Sequence, residues 1–228
     1  MRVARTRRAA GVSTAVVAGA WPDALLGSTS RHRRTVTIHT DTGSAYGVDV
    51  ARWHAAADDA DLSVLERAVG PVLDIGCGPG RILEALRSRH VPAFGIDVSA
   101  AAVRAARARG AAAGRVDVFG AVPGAGRWST ALLLDGNVGI GGDPDRLLRR
   151  VRELTGPRGR VLLEAWPEPV PVRSRLIRVA HRGLLSDWFP WALVTVEQVA
   201  DHAAAAGWRV ADVWRSGGRC FVALDGRP

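Results

Sequence analysis

The sequence predicts a doubly wound α/β fold, in which helices cover both faces of a mostly parallel sheet. Three observations support this: short apolar segments alternate with amphipathic ones over residues 71–165, a glycine loop follows the first apolar segment, and acidic residues stand near the ends of several. Such alternation is typical of parallel strands, which need a crossover between them. Ligands of these sheets bind outside the carboxyl ends of the strands, where the strand order reverses. We therefore expect a binding site lined by Asp74, Asp97, Asp117 and Asp135.

The individual elements follow from local patterns. Short apolar segments bounded by turn residues favour strands, and alanine- or leucine-rich segments with spacings of three and four favour helices. Ser99 is a suitable N-cap, and Thr195 with Gln198 has the spacing of a capping box. A Ser-Gly-Gly turn at 216–218 predicts a final hairpin, while residues 166–191 fit neither a strand nor a clean helix. We expect strands at 71–75, 91–97, 115–119, 130–135, 159–165, 208–215 and 219–224, and helices at 80–89, 99–109, 143–154, from 195 onward and within 49–69.

The glycine loop, Gly76-Cys77-Gly78-Pro79-Gly80, joins the first strand to the first crossover helix. Glycine lets the backbone turn sharply and approach a ligand closely, and Pro79 suits the first turn of the helix. Such a loop often binds the pyrophosphate of a dinucleotide, but two features oppose that interpretation. Asp74 would repel a pyrophosphate and attract a ligand with ammonium and sulfonium groups. Arg81 stands where the dinucleotide pattern has its last glycine.

Asp97 ends the second predicted strand, about 20 residues after the first glycine of the loop, where nucleoside-binding folds place an acidic residue. A carboxylate there can accept charge-assisted hydrogen bonds from two neighbouring ribose hydroxyls. The alternative is a solvated residue at the start of the next helix. Together with the glycine loop, Asp97 predicts a nucleoside ligand.

The two motifs Leu73-Asp74-Ile75-Gly76-Cys77-Gly78-Pro79-Gly80 and Gly95-Ile96-Asp97-Val98-Ser99 resemble those of class I S-adenosylmethionine-dependent methyltransferases. The resemblance covers roughly residues 41–225 in family order. It implies a Rossmann-like, doubly wound α/β/α sandwich with a seven-stranded sheet, helices on both faces and a C-terminal antiparallel hairpin. It also implies S-adenosyl-L-methionine as cofactor and methyl transfer to an O, N, S or C atom of a small-molecule substrate. Later segments that resemble the family are residues 116–118, 122–123, 128–135, 156–164 and 206–208.

The resemblance assigns roles to the acidic residues. Asp74 and the glycine loop would hold the methionine half of the cofactor, Asp97 the ribose and Asp117 the adenine amino group, with Asp135 beside the transferable methyl. Each has a structural alternative, because acids and glycines are also common in turns. Cys77 is expected to be a small filler rather than a nucleophile. The predicted cofactor-binding residues are Asp74, Gly76, Cys77, Gly78, Gly80, Asp97, Val98, Asp117, Val118, Asp135 and Gly136.

The acceptor side is less defined. Tyr46 and Trp53 lie where the family closes an N-terminal segment over the methionine end, and an aromatic face near a sulfonium can add about 0.5–2 kcal/mol. Four further aromatic residues could form an acceptor pocket or simply pack in the core: Trp166, Trp188, Phe189 and Trp191. A general base is needed only if the acceptor must lose a proton, so the catalytic residues stay open. The weak candidates are Asp135, Asn137, His54 and His181, with Glu164 as a further possible base.

Two departures from the family pattern keep alternatives open. Trp128-Ser129 replaces a Phe-Asp pair that often opens the fourth strand, and residues 135–143 are unusually rich in glycine. That segment is not the Asn/Asp-Pro-Pro-aromatic signature of base-modifying methyltransferases. One alternative is a protein that binds the cofactor without catalysis. The other is an RNA or DNA methyltransferase anchored by a basic N-terminal arm.

Charge argues against a nucleic-acid partner for the catalytic part of the chain. The formal net charge is +9, but residues 1–34 hold seven Arg and one acid, which gives +6. The remaining 194 residues hold 24 Arg and 21 acids, which leaves only +3. Little excess field is left to steer a polyanion. All 31 basic residues are Arg, a bias that a GC-rich genome explains more simply than phosphate binding does.

Residues 1–40 mix Arg with Ala, Gly, Ser and Thr without a sustained period, so we expect a disordered Arg-rich arm before a methyltransferase domain at 41–228. The two cysteines, Cys77 and Cys220, are too few for a disulfide framework, and the six histidines show no ligand spacing, so no metal site is expected. No apolar run is long enough to span a membrane. We expect a cytoplasmic enzyme, and the sequence leaves its oligomeric state open.

Overall fold

The structure is a computed structural model that describes residues 35–167, 176–181 and 183–226 together with the backbone of Val16–Val17. Within these residues the chain forms two β-sheets and five α-helices. The strands are β1 Val16–Val17, β2 Thr35–Thr40, β3 Ala45–Asp49, β4 Val72–Ile75, β5 Ala93–Asp97, β6 Ala113–Arg115, β7 Thr130–Leu133, β8 Arg160–Ala165, β9 Leu176–His181, β10 Leu184–Ser186, β11 Phe189–Pro190, β12 Trp208–Ser216 and β13 Arg219–Gly226. The helices are α1 Asp59–Leu65, α2 Arg81–Ser88, α3 Ala100–Ala108, α4 Pro144–Leu154 and α5 Val196–Ala205, with 3₁₀ helices at Ala51–His54 and Asn137–Gly139.

The larger sheet has seven strands in the order β12-β13-β8-β7-β4-β5-β6. Five neighbouring strands, β8 to β6 in this order, are parallel, and β13 is antiparallel to both of its neighbours. Every residue of the central strands β4 and β7 is buried, as expected for a parallel sheet covered on both faces. The predicted seven-stranded α/β/α sandwich with a final antiparallel hairpin is confirmed.

The strand order reverses at β4. The chain continues from β4 to β5 and β6 on one side and then returns to β7 on the other. A crevice at the carboxyl end of β4 follows from this connectivity. Asp74 is the penultimate residue of β4, Asp97 ends β5, and Asp135 follows two residues after β7, so three of the expected acids border this crevice.

A second, smaller sheet was not predicted. Its strands come from the segment before the larger sheet begins and from the segment between β8 and α5, in the order β1-β10-β9-β2-β3, with β11 paired to β9. Alternate residues of β2 and β9 are buried, including Val36, Ile38, Ile177 and Val179, so one face of the sheet is apolar. This face packs against Trp191 and its neighbours in a separate core cluster. The sheet therefore places β11 beside the crevice of the larger sheet.

The expected boundary between arm and domain is wrong at its inner end. Residues 35–40, assigned to the disordered arm, form β2 and pair with both β3 and β9. The sequence Thr-Val-Thr-Ile-His-Thr alternates polar and apolar residues, which is the period of a half-buried strand. Most of the remaining arm lies outside the described residues.

Two element boundaries in the main domain also differ from the expectation. Helix α2 begins at Arg81 rather than near Pro79, because Gly80 has a φ of 87° and cannot continue a right-handed helix. Strand β6 ends at Arg115, so Asp117 lies in the loop that follows it. Val118 gave that loop a strand-like pattern because its side chain is buried in the core. The capping box of Thr195 and Gln198 is confirmed.

Candidate active site

The glycine loop is packed closely by protein on one side and open on the other. A Cβ atom on Gly76 would lie 2.5 Å from Nδ2 of Asn137, and one on Gly80 would lie 2.8 Å from Cβ of Ala106. Both glycines have positive φ angles, so a side chain would also strain the backbone. A Cβ atom on Gly78 would meet nothing within 4 Å. The loop therefore leaves its backbone open at Gly78.

Asp97 connects the glycine loop to the start of α3. Its Oδ2 accepts a hydrogen bond from the backbone N–H of Gly78 at 3.0 Å, and its Oδ1 accepts one from the N–H of Ser99 at 2.8 Å. Ser99 caps α3, as predicted, by accepting a hydrogen bond from the N–H of Ala102 at 3.0 Å. One carboxylate thus holds the two loops that frame the crevice.

Asp74 is a buried acid that lacks a protein partner on one oxygen. Its side chain is 3% exposed, and Oδ2 has no hydrogen-bond partner among the described residues. Burial raises the pKa of this carboxyl to about 7; Arg81 opposes the increase, and Asp135 and Asp97 add to it. Leaving a buried carboxylate unpaired is costly. A cationic ligand in the crevice would supply the missing partner.

Behind the loop lies a network of buried, opposite charges that the sequence patterns did not reveal. Arg81 is 4% exposed and pairs with Asp61 and, at 2.8 Å, with Asp135. Arg219 of β13 pairs with Asp61 and Glu164, both at 2.7 Å. Each buried charge has a partner of opposite sign, without which it would be strongly destabilising. The network ties α1, α2, β8 and β13 together beneath the crevice.

Asp135 is held by this network in an unusual backbone conformation. Its φ is +55°, and its N–H donates to Oε2 of Glu164 at 2.7 Å. Its carboxylate forms ion pairs with Arg52 and Arg81, both at 2.8 Å, and lies 3.6 Å from Arg219. Burial alone would raise the pKa of Asp135, but the three guanidinium groups outweigh it and the pKa is lowered. A carboxylate with a lowered pKa is a poor proton acceptor, so Asp135 is a weak candidate for a general base. Glu164 is already engaged by Arg219 at 2.7 Å.

A cavity of about 480 Å³ lies between these elements and the second sheet. One side is formed by the carboxyl ends of the strands of the larger sheet. The opposite side, here called the aromatic wall, contains Trp53, Trp188, Phe189 and Trp191. The cavity thus brings together most of the predicted site residues, namely Asp74, Gly76, Cys77, Gly78, Asp97, Val98, Asp117, Val118, Asp135 and Asn137.

Five residues proposed for the site do not line this cavity: Gly80, Gly136, His54, Glu164 and His181. Gly80 instead permits the close contact of the loop with α3. His54 is buried, and its backbone oxygen accepts a hydrogen bond from Nη2 of Arg109 at 2.5 Å. His181 belongs to β9 of the second sheet. Neither histidine is placed to exchange a proton with a ligand in the cavity.

The six aromatic residues considered for the acceptor side divide into two groups. Trp53, Trp188, Phe189 and Trp191 line the cavity. Tyr46 and Trp166 do not, because they pack edge-on against each other with their ring centres 5.9 Å apart. The Trp-Phe-Pro-Trp sequence at 188–191 was a usable signal for the aromatic wall. The ion-pair partners of Arg81 and Arg219 gave no signal in the sequence, since each partner lies at least 20 residues away.

Cys77 behaves as a packing residue. It is buried, and burial raises the pKa of its thiol far above the usual range, which disfavours the nucleophilic thiolate. Among the residues that the structure describes, no group of His, Cys, Asp and Glu could hold a metal ion. No helix in the described ranges is long and apolar enough to cross a membrane.

Comparisons with known proteins point to one family. A family model described as a methyltransferase domain matches residues 51–213. No curated protein sequence matches the chain. Among solved structures, an S-adenosylmethionine-dependent methyltransferase from Bacteroides fragilis in complex with S-adenosyl-L-homocysteine is similar, with 19% identity and a TM-score of 0.72. That alignment covers 89% of this chain and 92% of the other.

Two further structures are similar over about three quarters of this chain. An amino pentose methyltransferase from Micromonospora echinaspora, with S-adenosylmethionine bound, shares 20% identity with a TM-score of 0.59 and coverage of 77% and 94% of the two chains. The 1,6-didemethyltoxoflavin-N1-methyltransferase from Burkholderia thailandensis shares 18% identity with a TM-score of 0.54 and coverage of 74% and 77%. At these identities the likeness concerns the fold.

The residues of the crevice fit the cofactor of this family. Asp74 offers a buried acceptor without a partner, and Gly78 leaves open space where a nucleoside would lie. The family match extends over more than two thirds of the chain. The chain belongs to the class I S-adenosylmethionine-dependent methyltransferases, and S-adenosyl-L-methionine is its cofactor.

Proposed function

We propose that this enzyme methylates a small molecule bound between its two sheets. The observation that carries the proposal is the cavity, which continues from the strand ends of the larger sheet to the aromatic wall of the smaller one. Concave, largely apolar sites with a few polar groups are typical of small-molecule binding. The structural neighbours named for an amino pentose and for 1,6-didemethyltoxoflavin support this at the level of fold only.

We assign the cofactor to the acidic side of the cavity. Asp97 would accept hydrogen bonds from the ribose hydroxyls, because it ends β5 beside the open face of Gly78. Asp117 and Val118, in the loop after β6, would border the adenine. Asp74 would face the ammonium group of the methionine half, whose charge compensates the buried carboxylate.

The chain contributes mainly placement. The cofactor supplies a methyl group already activated by a positively charged sulfur. Holding an acceptor in line with that methyl can lower the barrier by several kcal/mol without covalent participation of the protein. The network around Arg81 and Arg219 keeps the floor of the site rigid, and the aromatic wall excludes water from the acceptor side.

A nucleic-acid acceptor is less consistent with the site. Residues 35–228 carry a net charge of only +3, and acidic side chains line the crevice. We place the reaction in the cytoplasm, where the cofactor is available. The free, buried thiols of Cys77 and Cys220 are consistent with this location.

A direct test incubates the purified full chain with methyl-labelled S-adenosylmethionine and a metabolite extract. We expect label in one or a few small molecules together with S-adenosylhomocysteine, and no label with the Asp97→Ala variant. Label incorporated only into added RNA or DNA would contradict the proposal. So would the absence of any labelled small molecule from an extract of the source cells.

A further inference from the structure

The aromatic half of the cavity has features that define the kind of acceptor it can take. Trp188 lines the cavity with 42% of its side chain exposed. The guanidinium carbon of Arg178 lies 4.7 Å from the centre of the Trp188 ring, so one face of the indole is occupied by a cation. An accessible indole that lines a cavity offers an apolar face on which a ligand ring can pack.

The aromatic wall is bonded to the segment around the 3₁₀ helix that follows β7. The N–H of Ala192 donates to the carbonyl of Gly139 at 2.8 Å, and Ile140 forms a bridge with Trp191. A Cβ atom on Gly139 would lie 1.9 Å from the carbonyl oxygen of Ala192. The backbones at Gly139 and Ala192 therefore leave no room for a side chain between them. The 3₁₀ helix Asn137–Gly139 and the wall therefore form one unit.

Asn137 stands in this unit with a fixed orientation. Its Nδ2 donates to the carbonyl oxygens of Ile75 at 2.9 Å and Gly76 at 3.0 Å. Two acceptors on one side of the amide identify that side as the NH₂ group. Its Oδ1 accepts no hydrogen bond from the described residues, although Asn137 is buried and lines the cavity. This amide oxygen is not among the buried atoms that lack a partner, so it is accessible and can accept a hydrogen bond from a ligand in the cavity.

We propose that the acceptor is a flat aromatic ring that bears a hydrogen-bond-donating nucleophile, an N–H or O–H group. The ring packs against Trp188 and Trp191, and the donor binds Oδ1 of Asn137. The amide thereby orients the nucleophile beside the loop that holds the cofactor. This proposal rests on the proposed function, because it describes the acceptor of the same cavity.

Neutral naphthalene probes separate the two contacts. The full chain is saturated with S-adenosylhomocysteine, and the affinity of 2-naphthol, 2-aminonaphthalene, decahydro-2-naphthol and 2-methoxynaphthalene is measured by calorimetry. We expect the first two to bind. The decahydro compound should bind about 3- to 10-fold more weakly, because it lacks the aromatic face. The methoxy compound should lose a similar factor, because it has no donor.

Variants assign these preferences to residues. Trp188→Leu should remove the preference for the aromatic over the saturated ring, whereas the control Trp128→Leu, outside the cavity wall, should keep it. Asn137→Ala should remove the preference for the hydroxyl over the methoxy compound. A purely structural role of Asn137 would weaken all probes alike and leave that ratio unchanged.

The outcomes distinguish this inference from the proposed function. If S-adenosylhomocysteine binds but the probes bind equally or not at all, the acceptor class is wrong and the cofactor assignment stands. If S-adenosylhomocysteine itself does not bind, the proposed function fails. Unchanged ratios in both Trp188→Leu and Asn137→Ala would also overturn the inference.

Discussion

Asp74 provides the sharpest test of how the site recognises its cofactor. Its carboxyl is buried, has an unpartnered oxygen and has a pKa raised to about 7. A ligand ammonium group binds best to the ionised form of Asp74. At a pH where the Asp74 carboxyl is protonated, binding must therefore include the free-energy cost of ionising it. We therefore expect the affinity for S-adenosylhomocysteine to increase as the pH rises towards neutrality. The variant Asp74→Asn should abolish this dependence.

The size of the effect follows from the pKa. A group with a pKa of 7 is about 9% ionised at pH 6 and about 76% ionised at pH 7.5. The affinity of the wild-type protein should therefore rise roughly eightfold over this interval, while the ligand's amino group keeps its proton. At pH 7.5 Asp74→Asn should bind about 10- to 100-fold more weakly, because it loses a charge-assisted hydrogen bond of about 1.5–3 kcal/mol.

Calorimetric titrations at constant ionic strength measure both effects. Asp117→Asn is the matched control: the Asp117 carboxyl is exposed and is not among the charges that shift the pKa of Asp74, so this variant should keep the pH dependence. The same pKa predicts that the contribution of Asp74 to the free energy of unfolding decreases as the pH rises from about 4 to about 7. Over that window the native state retains a proton that the unfolded state has released. An affinity that is flat from pH 6 to 7.5 in the wild type, or equally steep in Asp74→Asn, would refute the reasoning.

Three further changes test the other parts of the site. Asp97→Ala should weaken S-adenosylhomocysteine binding at least about 10-fold, because a charged acceptor for the ribose is lost; unchanged calorimetric affinity would remove Asp97 from the site. Gly78→Val should abolish that binding by filling the open face of the loop, and its φ of 52° adds about 1–2 kcal/mol of strain; a variant that binds normally would contradict the proposed position of the ligand. Arg219→Met should lower the free energy of unfolding in urea by about 3–5 kcal/mol, because it leaves two buried carboxylates short of a partner. The exposed control Arg209→Met should cost at most about 1 kcal/mol, and equal losses would show that the network contributes no more than a surface pair.

The larger sheet was predictable because its signals are local. Each strand is a short apolar segment, and each helix has a cap or a spacing that can be recognised within a few residues, as at Ser99 and Thr195. The same holds for the crevice, since the glycine loop and Asp97 lie at the ends of adjacent strands. The segment around Asp117 shows where local signals fail. It has the apolar pattern of a strand because Val118 is buried, but this segment is not paired with a neighbouring strand among the described residues.

The smaller sheet and the charge network depend on long-range pairing. Strand β2 pairs with β9, more than a hundred residues away, so neither strand signals its partner. Arg81 joins Asp61 and Asp135, and Arg219 joins Asp61 and Glu164, across separations of 20 to 158 residues. Such pairings appear only when the fold is known. They explain why Asp135 and Glu164 looked like possible bases in the sequence but are held as ion pairs in the structure.

A crystal structure of the protein with S-adenosylhomocysteine tests the central claim most directly. The account predicts the ribose hydroxyls within about 2.5–3.0 Å of the Asp97 carboxylate, the adenine beside Asp117 and the ammonium group facing Asp74. A ligand bound elsewhere, or an Asp97 carboxylate turned away from the sugar, would contradict it.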